Sequence, residues 1–190
     1  MHRIFIAVNL LEEIRNQLQK IQKKWADLPV RFTKKDSLHL TLFFIGYVDD
    51  ERMVKICQKV REIGKRHESF VIKFNRICLG PPKKQPRLIW LEGERSEQLI
   101  NLKRDIGKTL VARENDARAF TEIERESKIF IPHITLARIR QLEWKKLSEK
   151  PIIDESSAIN VSVNSIEVME SNLRGDGAEC IILESAALKS

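Results

Sequence analysis

His39-Leu40-Thr41-Leu42 returns as His133-Ile134-Thr135-Leu136, so two of the four histidines sit in the same four-residue pattern, once in each half of the chain. In a β-strand, residues i and i+2 point to one side, roughly 6.5 to 7 Å apart. His39 therefore shares a face with Thr41, and His133 with Thr135. An imidazole can give or take a proton near neutral pH, and a threonine hydroxyl can donate a hydrogen bond to a phosphoryl oxygen. Each motif supplies one proton-transfer group and one anion donor.

Two such motifs related by a two-fold would put the histidines on opposite sides of one bound phosphorus. In-line displacement needs that arrangement: the attacking oxygen loses a proton on one side while the leaving oxygen gains one on the other. No serine nucleophile with an acidic orienter accompanies either histidine. A zinc or two-metal centre wants three or more converging His, Cys, Asp or Glu side chains. The motif strands carry none besides the two histidines, so no metal and no cofactor is expected. His2 and His67 lack the motif context and read as surface or structural residues.

The elements that must position these groups follow from periodicity. Ile4, Ile6 and Val8 alternate with Phe5 and Ala7, as in a strand buried on both faces. Leu11, Ile14, Leu18, Ile21 and Trp25 mark an amphipathic helix. In the first motif strand Leu38, Leu40, Leu42 and Phe44 fall on one face and His39, Thr41 and Phe43 on the other, which makes Phe43 a candidate for stacking on a base. Asp49 and Asp50 can cap a second helix, and Phe70, Ile72 and Phe74 mark a strand. After the loop Gly80 to Pro86, where Lys83, Lys84 and Arg87 could meet an RNA backbone, the order repeats. Residues 87–92 read as a strand, and Ser96 caps a helix carrying Leu99, Leu102, Ile106 and Leu110. A charged stretch from Arg113 to Lys128 reads as a flap before the second motif strand. A short helix near Leu142 and a strand-rich end complete the chain. The pattern implies a duplicated unit: two α+β lobes, one about 1–80 and one about 87–190, with the motif strands side by side or across a cleft.

Composition sets the partner class. Lys and Arg number 34 against 27 Asp and Glu, a net charge of +7, and 42% of the 190 residues are hydrophobic. A basic protein with a full core suits polyanions such as RNA or phosphate esters. Three scattered cysteines form no Cys-x-x-Cys, and no stretch reads as a signal peptide or membrane span. A cytoplasmic monomer, with no membrane association and no obligate protein partner, is the expectation.

With both motifs in place, the chain resembles the 2H phosphoesterase superfamily, and within it the RNA 2′,3′-cyclic phosphodiesterase family, historically called 2′-5′ RNA ligase. RIFIAV, SLHLTLFFIG, RLIWLEG, FIPHITLAR and SNLRGDGAEC carry the likeness over nearly the whole chain. The resemblance implies a bilobal α+β fold with pseudo-two-fold symmetry, lobes that exchange strands, antiparallel sheets lining a basic central cleft, and helices outside. It implies metal-independent hydrolysis of 2′,3′-cyclic phosphate ends of RNA or nucleotides to 2′-phosphomonoesters. In that reading His39 is the proton donor, His133 the proton acceptor, Thr41 and Thr135 hold phosphate oxygens, and Arg138 contacts phosphate. By parity Arg138 would face away from His133 in an unbroken strand, so either a bulge or the strand end re-aims it, or its role is structural. Joining of tRNA-like halves through a 2′-5′ bond, and non-catalytic binding of nucleotides or RNA ends, are the alternative readings.

Overall fold

The computed structural model describes residues 1–81, 85–110, 117–174 and 177–190. Lys83, Lys84 and residues 113–116 of the charged stretch lie outside these. The described chain runs β1 (His2–Asn9), α1 (Glu12–Gln22), β2 (Val30–Phe32), β3 (His39–Val48), α2 (Asp50–Gly64), β4 (Phe70–Gly80) and β5 (Leu88–Gly93). It continues with α3 (Glu97–Leu110), α4 (Ala117–Ile129), β6 (His133–Ile139), α5 (Gln141–Lys145), β7 (Asp154–Val163), β8 (Ser165–Arg174) and β9 (Gly177–Ala187).

The strands form one antiparallel array in the order β7-β4-β5-β6-β3-β1-β8-β9, with β2 added alongside β6. The two motif strands, β3 and β6, are its centre. β4 follows the first motif in sequence yet pairs with β5, and β8 follows the second yet pairs with β1. The helices cross over as well. α1 packs near β6, and α3 packs near β3.

One large apolar cluster fills the space between sheet and helices, with Ile4, Ile6, Leu18, Leu40, Leu42, Val60, Leu102, Ile134 and Leu136 among its buried members. On the opposite side of the sheet a small cluster forms from Phe5, Ala7 and Met169, flanked by Cys180. β1 is therefore buried on both faces, as its unbroken apolar run requires.

The helix caps are local. The Asp49 carboxylate accepts from the Arg52 amide at 2.8 Å, and Ser96 Oγ accepts from the Leu99 amide at 3.2 Å. Leu11 departs from the helical stripe expected of it: it is the N-cap of α1 and stays 63% exposed. The charged stretch read as a flap is, over its described residues, helix α4. Its Glu124 accepts from Lys108 at 2.6 Å, and Ile123 fills the space above Gly107, where a Cβ would come within 2.8 Å of it.

Candidate active site

β3 and β6 are joined through Leu40 and Ile134, their one bridging pair among the described residues. Both side chains are fully buried toward the helices. The residues flanking them therefore project to the other face: His39 and Thr41 from one strand, His133 and Thr135 from the other. Because the strands run antiparallel, a local two-fold through this bridge carries one motif onto the other. By strand geometry the histidine Cα atoms stand roughly 8 Å apart on the diagonal.

Each motif strand then bulges at the same place. On β3, Ala7 pairs with Thr41 but Ile6 pairs with Phe43, which leaves Leu42 as the extra residue. On β6, Trp90 pairs with Thr135 but Ile89 pairs with Ala137, which leaves Leu136 extra. A bulge resets side-chain parity. Arg138 is thereby turned to the face of His133 and Thr135, opposite Leu88. On β3 the same reset moves Phe43 off the histidine face. Its ring packs near Gly107 of α3, with the Lys103 ammonium 5.0 Å from its centroid. Phe44 takes the place on the histidine face that Arg138 takes in the other half. It is 69% exposed and 5.9 Å from the Phe5 ring.

The carbonyls freed at both bulges are capped by buried side chains that the sequence alone did not single out. Lys103 on α3 donates to the Leu42 carbonyl at 2.8 Å. Gln22 on α1 donates to the Leu136 carbonyl at 2.7 Å, and the Thr33 amide adds a bond at 2.9 Å. Gln22 is 5% and Lys103 8% exposed. A buried polar side chain at a helical core position is a signal only once its acceptor is known.

The two rings differ electrostatically. His133 Nδ1 donates to the Ile131 carbonyl at 2.9 Å, which fixes the tautomer and leaves Nε2 free as a base. Burial lowers its pKa, while the Ile131 carbonyl and the charge of Glu92 oppose that shift. His39 has Thr41 Oγ1 3.0 Å from its Nε2, and its buried Nδ1 lacks a well-formed partner. Burial pushes its pKa down to about 4; the Ser37 backbone opposes this, and the charges of Arg138 and His133 add to it. The cross-strand neighbours account for part of the asymmetry. Glu92 stands opposite His133, whereas uncharged Asn9 stands opposite His39.

Aromatic rings back both imidazoles. Trp90 lies 4.2 Å from His133, and Phe5 lies 4.9 Å from His39. Trp90 is itself held by its indole N–H, which donates to Cys78 Sγ at 3.1 Å. Its ring lies so close over Gly80 that a Cβ there would come within 2.4 Å of it. His2 and His67 sit elsewhere, against Asp50 and Glu170 and against Asp105. Among the described residues no helix is long and apolar enough to cross a membrane.

The chain has counterparts among known proteins. The family model described as LigT-like phosphoesterase matches residues 8–90. An RNA 2′,3′-cyclic phosphodiesterase of Methanothermobacter thermautotrophicus is 31% identical over 175 residues, covering 90% of this chain and 88% of that protein. Among solved structures, a Thermus thermophilus protein superposes with a TM-score of 0.78 at 24% identity over 99% of this chain and 98% of its own. E. coli LigT complexed with 3′-AMP gives a TM-score of 0.70 at 23% identity over 100% and 99%. These two likenesses concern the fold.

Proposed function

We propose, on the premise that this chain belongs to the LigT-like phosphoesterase family, that it hydrolyses 2′,3′-cyclic phosphate ends of RNA or nucleotides to 2′-phosphomonoesters. The observation that carries this reading is the pair of His-Thr faces joined at Leu40 and Ile134. The name borne by the archaeal relative supports the substrate class.

The cyclic phosphate sits between the two rings, its non-bridging oxygens accepting from Thr41, Thr135 and Arg138. His133 Nε2 takes a proton from water as the water oxygen bonds to phosphorus. The bond from phosphorus to O3′ breaks, and His39 delivers its proton to O3′. The product carries a 2′-phosphate and a free 3′-hydroxyl. The enzyme is left with His133 protonated and His39 neutral, and exchange with solvent restores both.

The local electrostatics favour these unequal jobs. A ring whose cation is destabilised by burial and by Arg138 is the stronger acid, which suits His39 as donor. A ring whose cation is favoured by Glu92 is the better acceptor, which suits His133. Phe44, backed by Phe5, presents the exposed aromatic surface for the terminal base, the role that simple alternation gave to Phe43.

Adenosine 2′,3′-cyclic phosphate incubated in chelator tests the reading. Turnover is expected, and His39→Ala or His133→Ala should each lower kcat by about 10²- to 10⁴-fold. Full-rate turnover by either variant contradicts the mechanism.

A further inference from the structure

Beyond the histidine pair, the end of β6 opens into a groove of about 690 Å³ lined by Arg31, Arg87, Trp90, Arg138, Arg140 and Gln141, among others. Its composition is unusual in one respect. Arg31 on β2 and Arg138 on β6 are direct cross-strand partners. Like charges placed opposite each other in a sheet destabilise it, and among the described residues none that lines the groove is acidic. Among the described residues Arg31, Arg87 and Arg138 have no ion-pair partner, and Arg140 reaches only Glu143 at 3.5 Å. Burial, then the charges of Arg31 and Arg3, press on the Arg138 cation. Three guanidinium groups converge on a concave space with no acidic counter-charge among the described residues that line it.

We infer that this groove is a second phosphate subsite. It takes the phosphate that links the terminal nucleotide to its 5′ neighbour, so the enzyme's preferred substrate is an oligonucleotide end rather than a mononucleotide. The inference rests on the phosphodiesterase reading above. Arg138 stands at the junction: its charge reaches His39, and its register partner opens the groove. A strand whose cyclic end lies between the histidines would pass its next phosphate to Arg31 and Arg87, where planar guanidinium forks match phosphate oxygens. Trp90 belongs both to the groove wall and to the backing of His133, so the groove adjoins the histidine pair.

Binding tests the subsite, and turnover tests the underlying reading, so the two can fail separately. The probes are a trinucleotide ending in a 2′-phosphate and adenosine 2′-monophosphate. The wild-type protein should bind the trinucleotide at least about tenfold more tightly at low salt, and a double variant, Arg31→Gln with Arg87→Gln, should bring that ratio close to one. The slope of log Kd against log salt for the trinucleotide should fall by about 0.7, for one single-strand phosphate no longer neutralised. Each single variant should lose part of the ratio. An affinity ratio that survives in the double variant, or a wild type that binds both probes equally, overturns the inference. Hydrolysis of adenosine 2′,3′-cyclic phosphate by the same wild-type preparation reports separately on the phosphodiesterase reading.

Discussion

Leu40 and Ile134 are cross-strand partners at the point where the two halves of the sheet meet, and each lies between the His and the Thr of its own motif. Burying this pair toward the helices turns all four motif side chains to the opposite face. One apolar contact thus sets the spacing and the symmetry of the two histidines.

The two depressed histidine pKa values fix the direction of the pH dependence. Catalysis as proposed needs His39 protonated and His133 neutral. With His39 near 4 and His133 below its ordinary 6.5, the free enzyme holds that combination best on the acid side. The profile of kcat/KM should therefore peak below pH 6.5. An anionic substrate favours the protonated form of His39 and raises its pKa, so the kcat profile should peak at higher pH than that of kcat/KM. Steady-state rates between pH 4 and 8 check this, and the opposite order of the two maxima contradicts it.

Glu92 and Asn9 are the asymmetric pair in an otherwise two-fold arrangement. Glu92→Gln should lower the His133 pKa further, because it removes the charge that favours the imidazolium. Asn9→Asp should raise that of His39, by placing a carboxylate opposite the ring. Ring-proton NMR titrations of the two variants measure both. A His133 titration unmoved in Glu92→Gln removes the electrostatic basis for its role as acceptor.

Phe43 and Phe44 should separate cleanly. Phe44→Ala should weaken nucleotide binding by about 1 to 3 kcal/mol, the range for a stacked base, with little change in stability. Phe43→Ala should cost about 2 kcal/mol of stability or more, by loss of packing against α3 and of the Lys103 contact, while leaving nucleotide affinity near wild type. Thermal unfolding and nucleotide titration of each variant give both readouts, and the reverse outcome would place Phe43 on the substrate side.

Lys103→Met removes the donor to the Leu42 carbonyl and leaves that acceptor buried, a loss of about 1 to 3 kcal/mol. For a chain of this size that is a fall in Tm of a few to about ten degrees. Because the bulge also aims Phe44, KM for a nucleotide substrate should rise with it. Gln22→Leu should act more mildly, since the Thr33 amide still reaches the Leu136 carbonyl. A Lys103→Met protein with unchanged Tm and KM would show that the bulge needs no cap.

Much of this was readable in the chain itself. Period-two and period-3.6 patterns place β1, α1, β3, α2 and their repeats, and i, i+2 parity puts each His with its Thr. Parity fails from the second residue past each Thr. The bulges at Leu42 and Leu136 look like ordinary apolar strand positions, and only register against β1 and β5 reveals them. The bulge expected to re-aim Arg138 is present; its twin on β3, which exchanges Phe43 for Phe44, has no local sequence mark. Gln22 and Lys103 stand at core-facing positions of their helices, four residues after Leu18 and Leu99, but nothing local marks their role, because their acceptors lie far away in sequence. β2 is three residues long and too short for periodicity to reveal, so the facing of Arg31 and Arg138 was hidden with it.

The most direct test of the central claim is the identity of the product formed from an RNA end bearing a 2′,3′-cyclic phosphate, read by phosphorus NMR in the presence of chelator. Two histidines acting in line, with His39 protonating O3′, predict a 2′-phosphomonoester at an undiminished rate. A 3′-phosphate, or a reaction that stops in chelator and resumes on adding metal, contradicts the account.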